Sequence, residues 1–195
     1  MGTARLEAFS DGVIAVAITI MVLELKVPHG EGFGVLAPLV PVFLSYVLSF
    51  VYLGIYWNNH HHMMHTLHQV SGSILWANLH LLFWLSLIPF TTGWMGENHY
   101  AAIPTALYGA VLLMSAIAYW ILQRQIIAVQ GPDSILKKAI GRDWKGRLSP
   151  VAYLVAIVAT FAWSQAIAQA IYVLVAMAWL VPDRRIERLV FARAE

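Results

Sequence analysis

The 195 residues contain no cysteine. Disulfides, Cys-ligated zinc, iron–sulfur clusters and thiol nucleophiles are therefore excluded. Charge is nearly as scarce. Charged residues make up 11% of the chain and hydrophobic residues 60%, against about 25% and roughly 45–50% in an ordinary soluble domain. A soluble chain of this length could not cover itself with so little charge, which argues against a cytosolic enzyme and against a disordered chain. The composition reads as an integral membrane protein. No cleavable signal peptide is expected, because the first apolar run follows Arg5, Glu7 and Asp11 and meets no small-residue cleavage site before Glu24 and Lys26.

What is present is a series of long apolar runs. They cover Phe9–Val27, Val35–Trp57, Ile74–Trp94, Pro104–Leu122 and Val151–Val181. A spanning helix needs about 20 residues, so the first four predict one helix each. The last run has 31 residues, or about 46 Å as a helix, too long for one ordinary span. Ser164, Gln165 and Gln169 near its middle suggest a turn.

Positive charge decides the parity. One Lys or Arg lies in the N-terminal tail (Arg5) and one between the first two runs (Lys26). Six lie between Arg124 and Arg147, and four between Arg184 and Arg193. Cytoplasmic loops carry the Lys/Arg excess. Splitting the last run puts eleven of the twelve on one side. The prediction is an all-α, polytopic membrane protein with both termini cytoplasmic. A single domain over 1–195 holds six helices, at about 9–27, 35–57, 74–94, 104–122, 150–163 and 166–181. Pro104 and Pro150 are expected to open helices and Pro89 to kink the third. A short interfacial helix is expected within Asp133–Ile140.

Ionisable residues inside spans are functional candidates, and here they are few. Asp11 lies just inside the first helix, Glu24 and Lys26 mark its other end, and His80 is deep in the third. The shortage of midplane carboxylates argues against a proton-coupled pump or secondary transporter. The run Asn58 to His68 is rich in histidine. His61, His65 and His68 fall at i, i+4 and i+7, a spacing that permits a zinc or nickel site. Structural or pH-sensing histidines fit it as well. The metalloprotease pattern is absent, since His62 follows His61. In the first helix, Gly12, Val16, Thr19, Leu23 and Val27 share one stripe at 100° per residue, with Ile20 beside it. Such a stripe suits ordinary packing, or a narrow pore lined by several copies. No Thr-Val-Gly-Tyr-Gly filter loop occurs in the sequence.

The segment Arg5-Leu6-Glu7-Ala8-Phe9-Ser10-Asp11 strongly resembles the Arg-x-x-x-Phe-Ser-Asp signature of the transmembrane protein 175 family, endolysosomal potassium channels and their prokaryotic relatives. Gly12 to Pro28 is similar to the prokaryotic branch throughout. So are Trp57-Asn58-Asn59-His60-His61 and Leu180 to Glu187. The resemblance implies a homotetramer in the lipid bilayer of a bacterial or archaeal inner membrane. Four copies of the first helix would surround a pore for potassium. It implies no enzyme activity, no cofactor and no nucleic-acid partner. By offset from Phe-Ser-Asp, the family's constriction falls on Val16, Ile20 and Leu23, and its pore threonine on Thr19. Arg5, Phe9, Ser10 and Asp11, with Trp57, Asn59, His60 and His61, are expected to form a polar knot that orients the first helix. Glu24 and Lys26 would sit at a pore mouth, where Glu24 attracts cations or pairs with Lys26. The alternatives are a proton or cation leak or transporter using the same helices, and a membrane metal-binding protein using the His60–His68 run.

Overall fold

Long apolar stretches become helices here because an unbroken run of Ala, Leu, Ile, Val and aromatic residues satisfies its backbone only internally when water is absent. Turn chemistry then sets the ends. The computed structural model describes residues 2–131, 134–140 and 143–180, apart from the side chains of 139 and 140. The predicted Arg184–Arg193 cluster and the family-like ending beyond Leu180 lie outside these residues, as does Arg142.

Helix α1 spans Thr3–Leu23 and α2 spans Val40–His65. A 3-10 turn at Phe33–Leu39 leads into α2, and Pro41 sits in its first turn. Helices α3 (Gly72–Ser86) and α4 (Ile88–Glu97) form one interrupted stretch. The break at Leu87 lies just ahead of Pro89, which cannot donate a backbone hydrogen bond. Helix α5 runs Ala102–Gln130 and stops at Gly131, whose φ of 82° a side chain would disfavour. The short α6 is Ile135–Ile140, α7 is Trp144–Ala162 and α8 is Gln165–Leu180. The long apolar run thus breaks at Trp163 and Ser164.

Two sequence expectations are corrected. Pro150 does not open a helix; it lies inside α7. The helix starts earlier because the Asp143 carboxylate accepts the Gly146 amide and caps it. Likewise α2 ends at His65, with Thr66 as its cap. His68 therefore falls off the helix, and the i, i+4, i+7 histidine face does not exist.

Four stretches among the described residues are long and apolar enough to cross a membrane: Thr3–Leu23, Phe33–His65, Gly72–Glu97 and Ala102–Gln130. Gln165–Leu180 is a shorter apolar helix. Helix α5 packs against α3, α4 and α7, α8 packs on α7 and α2, and α1 packs against α2, α3 and α4.

Contacts between side chains define the two ends of this bundle. At one end Asp11 meets Trp57, Gln130 meets the Thr66 carbonyl, and Trp179 meets Ser149. At the other, Lys26 meets Glu97 and Tyr100 meets the Pro41 carbonyl.

The interior is glued by neutral polar groups rather than charge. Ser49 bonds Thr92 at 2.6 Å and Tyr108 at 3.0 Å, joining α2, α4 and α5. The Tyr52 hydroxyl donates to the Tyr172 carbonyl at 2.7 Å, and that of Tyr172 to the Thr105 carbonyl at 3.2 Å. In a bilayer helices gain nothing by hiding apolar surface from lipid, so close packing and such bonds hold them together. Two glycines allow the approach. A Cβ at Gly96 would lie 2.7 Å from the Val42 Cα, and one at Gly109 would fall on the Tyr172 hydroxyl.

Candidate functional site

Helix α1 has two distinct faces. Leu6, Ser10, Ile14, Ala17 and Met21 recur at helical spacing and are buried against the bundle. The opposite face carries Gly12, Val16, Thr19, Ile20 and Leu23, all exposed. Val16 is 56% exposed, Ile20 43% and Leu23 76%. Thr19 turns its hydroxyl back to the Ala15 carbonyl at 2.8 Å. That leaves the hydroxyl oxygen with acceptor capacity on the exposed side. The four positions predicted as constriction and pore hydroxyl thus stand on the exposed face. A groove runs along this helix between Phe9, Val16 and Ile20 on α1 and Ser86, Pro89 and Phe90 at the α3–α4 break.

The base of α1 is held by three separate polar contacts. The Trp57 indole N–H donates to Asp11 Oδ1 at 3.0 Å. His61 Nδ1 lies 2.8 Å from Glu7 Oε1. Ser10 donates to its own Leu6 carbonyl at 2.8 Å and accepts from Asn78 Nδ2 at 2.9 Å. Asn78 Oδ1 in turn lies 2.8 Å from His60 Nε2. Because the Asn78 amide nitrogen is committed to Ser10, its oxygen must accept. His60 therefore carries its proton on Nε2 and leaves Nδ1 as a lone pair. That Nδ1 is buried without a hydrogen-bond partner among the described residues. Ser10, His60 and Asn78 are all fully buried.

The expected knot forms in part and with different members. Ser10, Asp11, Trp57, His60 and His61 take part. Asn59 does not, since its amide caps the Ile55 carbonyl of its own helix. The Arg5 side chain is exposed and has no hydrogen bond or ion pair among the described residues. Phe9 is half exposed beside the groove. Glu24 does not pair with Lys26. Lys26 bonds Glu97 of α4 at 2.6 Å, and this bond and the Glu97 charge hold its ammonium above the usual lysine range. Glu24 lies instead over Gly93. His80 accepts from the Trp84 indole at 3.0 Å, an intrahelical bond that absorbs its ring nitrogen.

Sequence reasoning missed Asn78 and Glu7. Asn78 is a neutral amide in an apolar run, 68 residues from Ser10, and nothing local marks it. Glu7 had a signal. In the antiparallel pair α1 and α2, Asp11 meets Trp57, so stepping one turn along each helix brings Glu7 to His61.

The sequence profile described as "Endosomal/lysosomal potassium channel TMEM175" matches residues 5–89. A protein described as a potassium channel from Chryseobacterium sp. is 55% identical over 96% of this chain and 97% of its own. One from Chamaesiphon minutus, also described as a potassium channel, is 31% identical over 82% of this chain and 84% of its own. The crystal structure of a lysosomal potassium-selective channel TMEM175 homologue from Chamaesiphon minutus superimposes with a TM-score of 0.77 and 28% identity. It covers 93% of this chain and 97% of that one.

Proposed function

The chain belongs to the TMEM175 family of potassium channels, and from that premise we propose that four copies conduct potassium between their α1 helices. One observation carries this reading. Helix α1 leaves Val16, Thr19, Ile20 and Leu23 exposed on the side away from its buried face, where other copies can meet them. Around a fourfold axis these residues form stacked aliphatic rings with one ring of hydroxyls. A hydrophobic constriction of this kind closes by dewetting. The channel needs no carbonyl filter loop.

In this reading α1, α2, α3 with α4, α5, α7 and α8 are six spans of one subunit in the cell membrane. The end holding Asp11 and Trp57 is cytoplasmic. Arg5, Arg124, Lys137, Lys138, Lys145 and Arg147 gather toward that side and Lys26 lies at the other, the pattern that sets topology. The permeant ion is potassium and the protein uses no cofactor. Asp11 and Glu7 do not coordinate the ion; with Trp57, His61 and the Ser10–Asn78–His60 chain they fix which face of α1 meets the axis.

The test is flux through reconstituted liposomes, comparing potassium with sodium and with a proton ionophore control. Leu23→Ala raises the potassium leak by removing a dewetting ring, and Ile20→Asn raises it further by wetting one. A linear current separates a channel from a saturating transporter. Wild-type flux in both variants, measured on protein that still inserts and assembles, would show that α1 does not line the gate.

A further inference from the structure

Holding the base of α1 needs only one partner for Glu7, yet a second histidine converges on the same carboxylate. Glu7 of α1 meets both His61 and His65 of α2. Glu7 Oε1 lies 2.8 Å from His61 Nδ1 and 3.8 Å from His65 Nε2, and the ligand atoms of the three residues lie within 4.8 Å of one another. The two imidazoles stand edge-on, with centroids 4.3 Å apart.

From this geometry we propose that Glu7, His61 and His65 bind a zinc-type divalent transition metal that clamps α1 to α2. Zinc holds imidazole nitrogen and carboxylate oxygen at about 2.0–2.2 Å in a tetrahedron, which places ligand atoms roughly 3.3–3.5 Å apart. The two Glu7 distances lie on either side of that value. Small χ changes in Glu7 and His65 equalise them. Two borderline nitrogen donors and one carboxylate select zinc, cobalt or nickel over magnesium or calcium, which prefer all-oxygen shells. His61 would bind through Nδ1 as neutral imidazole with its proton on Nε2. It is already oriented by stacking on Trp57 at 6.1 Å. His65 is exposed, so the site opens to solvent, which gives entry to the ion and supplies water as a fourth ligand.

The alternative use of the same atoms is an ordinary carboxylate–imidazole hydrogen bond. That needs His61 alone. The convergence of His65 on the same oxygen, one turn further along α2, is what a metal adds. His68 has no place in the site, because α2 has ended. This inference is independent of the pore: it concerns binding between two helices of one chain.

The experiment uses the full chain in detergent with any affinity tag removed and metal stripped by chelator. Calorimetric titration with zinc should show one saturable site per chain. His65→Ala is the informative variant, since an exposed residue can be removed without disturbing the fold. It should weaken binding roughly ten-fold or more, as should Glu7→Gln, while His68→Ala stays within about two-fold of wild type. Cobalt should give the intense visible band of tetrahedral coordination on wild type and lose it in His65→Ala. Zinc should raise the thermal midpoint of wild type and leave that of His65→Ala unchanged. Absence of saturable binding to wild type overturns the proposal. So does binding that survives both Glu7→Gln and His65→Ala, which would place the zinc on other histidines.

Discussion

Replacing Asn78 with alanine tests whether the base of α1 is held by the buried chain Ser10–Asn78–His60. The substitution removes two interhelical hydrogen bonds, one of 2.9 Å and one of 2.8 Å. Ser10 loses little, because its hydroxyl still donates to the Leu6 carbonyl. His60 loses more. Its Nδ1 already has no partner, and truncation orphans the Nε2 proton as well. An unsatisfied buried polar group costs about 1–3 kcal/mol, and each hydrogen bond lost adds about 0.5–1.5 kcal/mol. Interhelical bonds within bilayers average only about 0.6 kcal/mol in double-mutant cycles, so the bond terms belong at the low end. The orphaned ring therefore dominates, and Asn78→Ala should cost about 2–4 kcal/mol. The assay is reversible unfolding of the reconstituted protein, read by tryptophan fluorescence. The double variant Asn78→Leu with His60→Leu separates causes. If the penalty comes from a stranded polar group, removing both partners recovers most of it. If it comes from lost packing, the double variant is worse than the single. A single-variant cost under about 0.5 kcal/mol, the level of an unremarkable surface substitution, would refute the reasoning.

Two further outcomes follow from the geometry. Gly109→Ala places a Cβ on the Tyr172 hydroxyl, which is held by the Thr105 carbonyl; overpacking here should cost about 1–3 kcal/mol in the same unfolding assay, with the double variant Gly109→Ala/Tyr172→Phe partly restored. The Lys26–Glu97 pair raises the lysine pKa in the folded state, so its contribution is complete below the ordinary lysine value and disappears as pH rises through the raised one. Lys26→Met should therefore sit a small, constant amount below wild type between about pH 5 and 8, and the two profiles should converge only in strong alkali; a gap that changes with pH near neutrality would mean another group titrates with this pair.

Helix periodicity put Val16, Thr19 and Leu23 on one stripe of α1 without saying whether it packs or faces outward, and charge bias placed the turn inside the long apolar run. Both rest on patterns repeated over many residues, so one misjudged position does little harm. The signature gave Ser10, Asp11, Trp57, His60 and His61 because the resemblance named them, not because spacing did. The rest depended on single events. His68 seemed to extend a ligand face only while α2 was assumed to continue, and no glycine or proline near His65 announced its end. Pro150 looked like a helix opener because proline favours the first turn, but the Asp143 cap seven residues earlier overrode that preference. Lys26 had an acid two residues away in Glu24, yet the turn past Leu23 leaves Glu24 over Gly93 and carries the lysine on to α4. The partner came from Glu97, 71 residues on.

The anchoring of α1 is uneven, and this bears on where a pore made from it would open. Every side-chain bond from α1 to another helix among the described residues comes from Glu7, Ser10 or Asp11. Beyond Asp11 the helix is held by apolar packing, with Ile14, Ala17 and Met21 buried and Val13 and Ile18 partly so, contacts that slide without breaking a directional bond. The exposed Lys26–Glu97 pair past its far end adds little restraint. A helix fixed at one end and loosely packed at the other moves by tilting about the fixed end. At 1.5 Å per residue, Leu23 stands about 18 Å beyond Asp11 and Val16 about 7.5 Å, so a tilt of roughly 10° displaces them by about 3 Å and 1.3 Å. In the proposed tetramer, about 3 Å at each copy would widen an aliphatic ring more than twice as far as the shift at Val16. The ring that does the gating is therefore expected near Leu23 and Ile20 rather than at Val16. Truncation ranks them directly. Leu23→Ala should raise potassium flux more than Val16→Ala, and the reverse order would place the constriction in the anchored half of the helix, where tilting cannot open it.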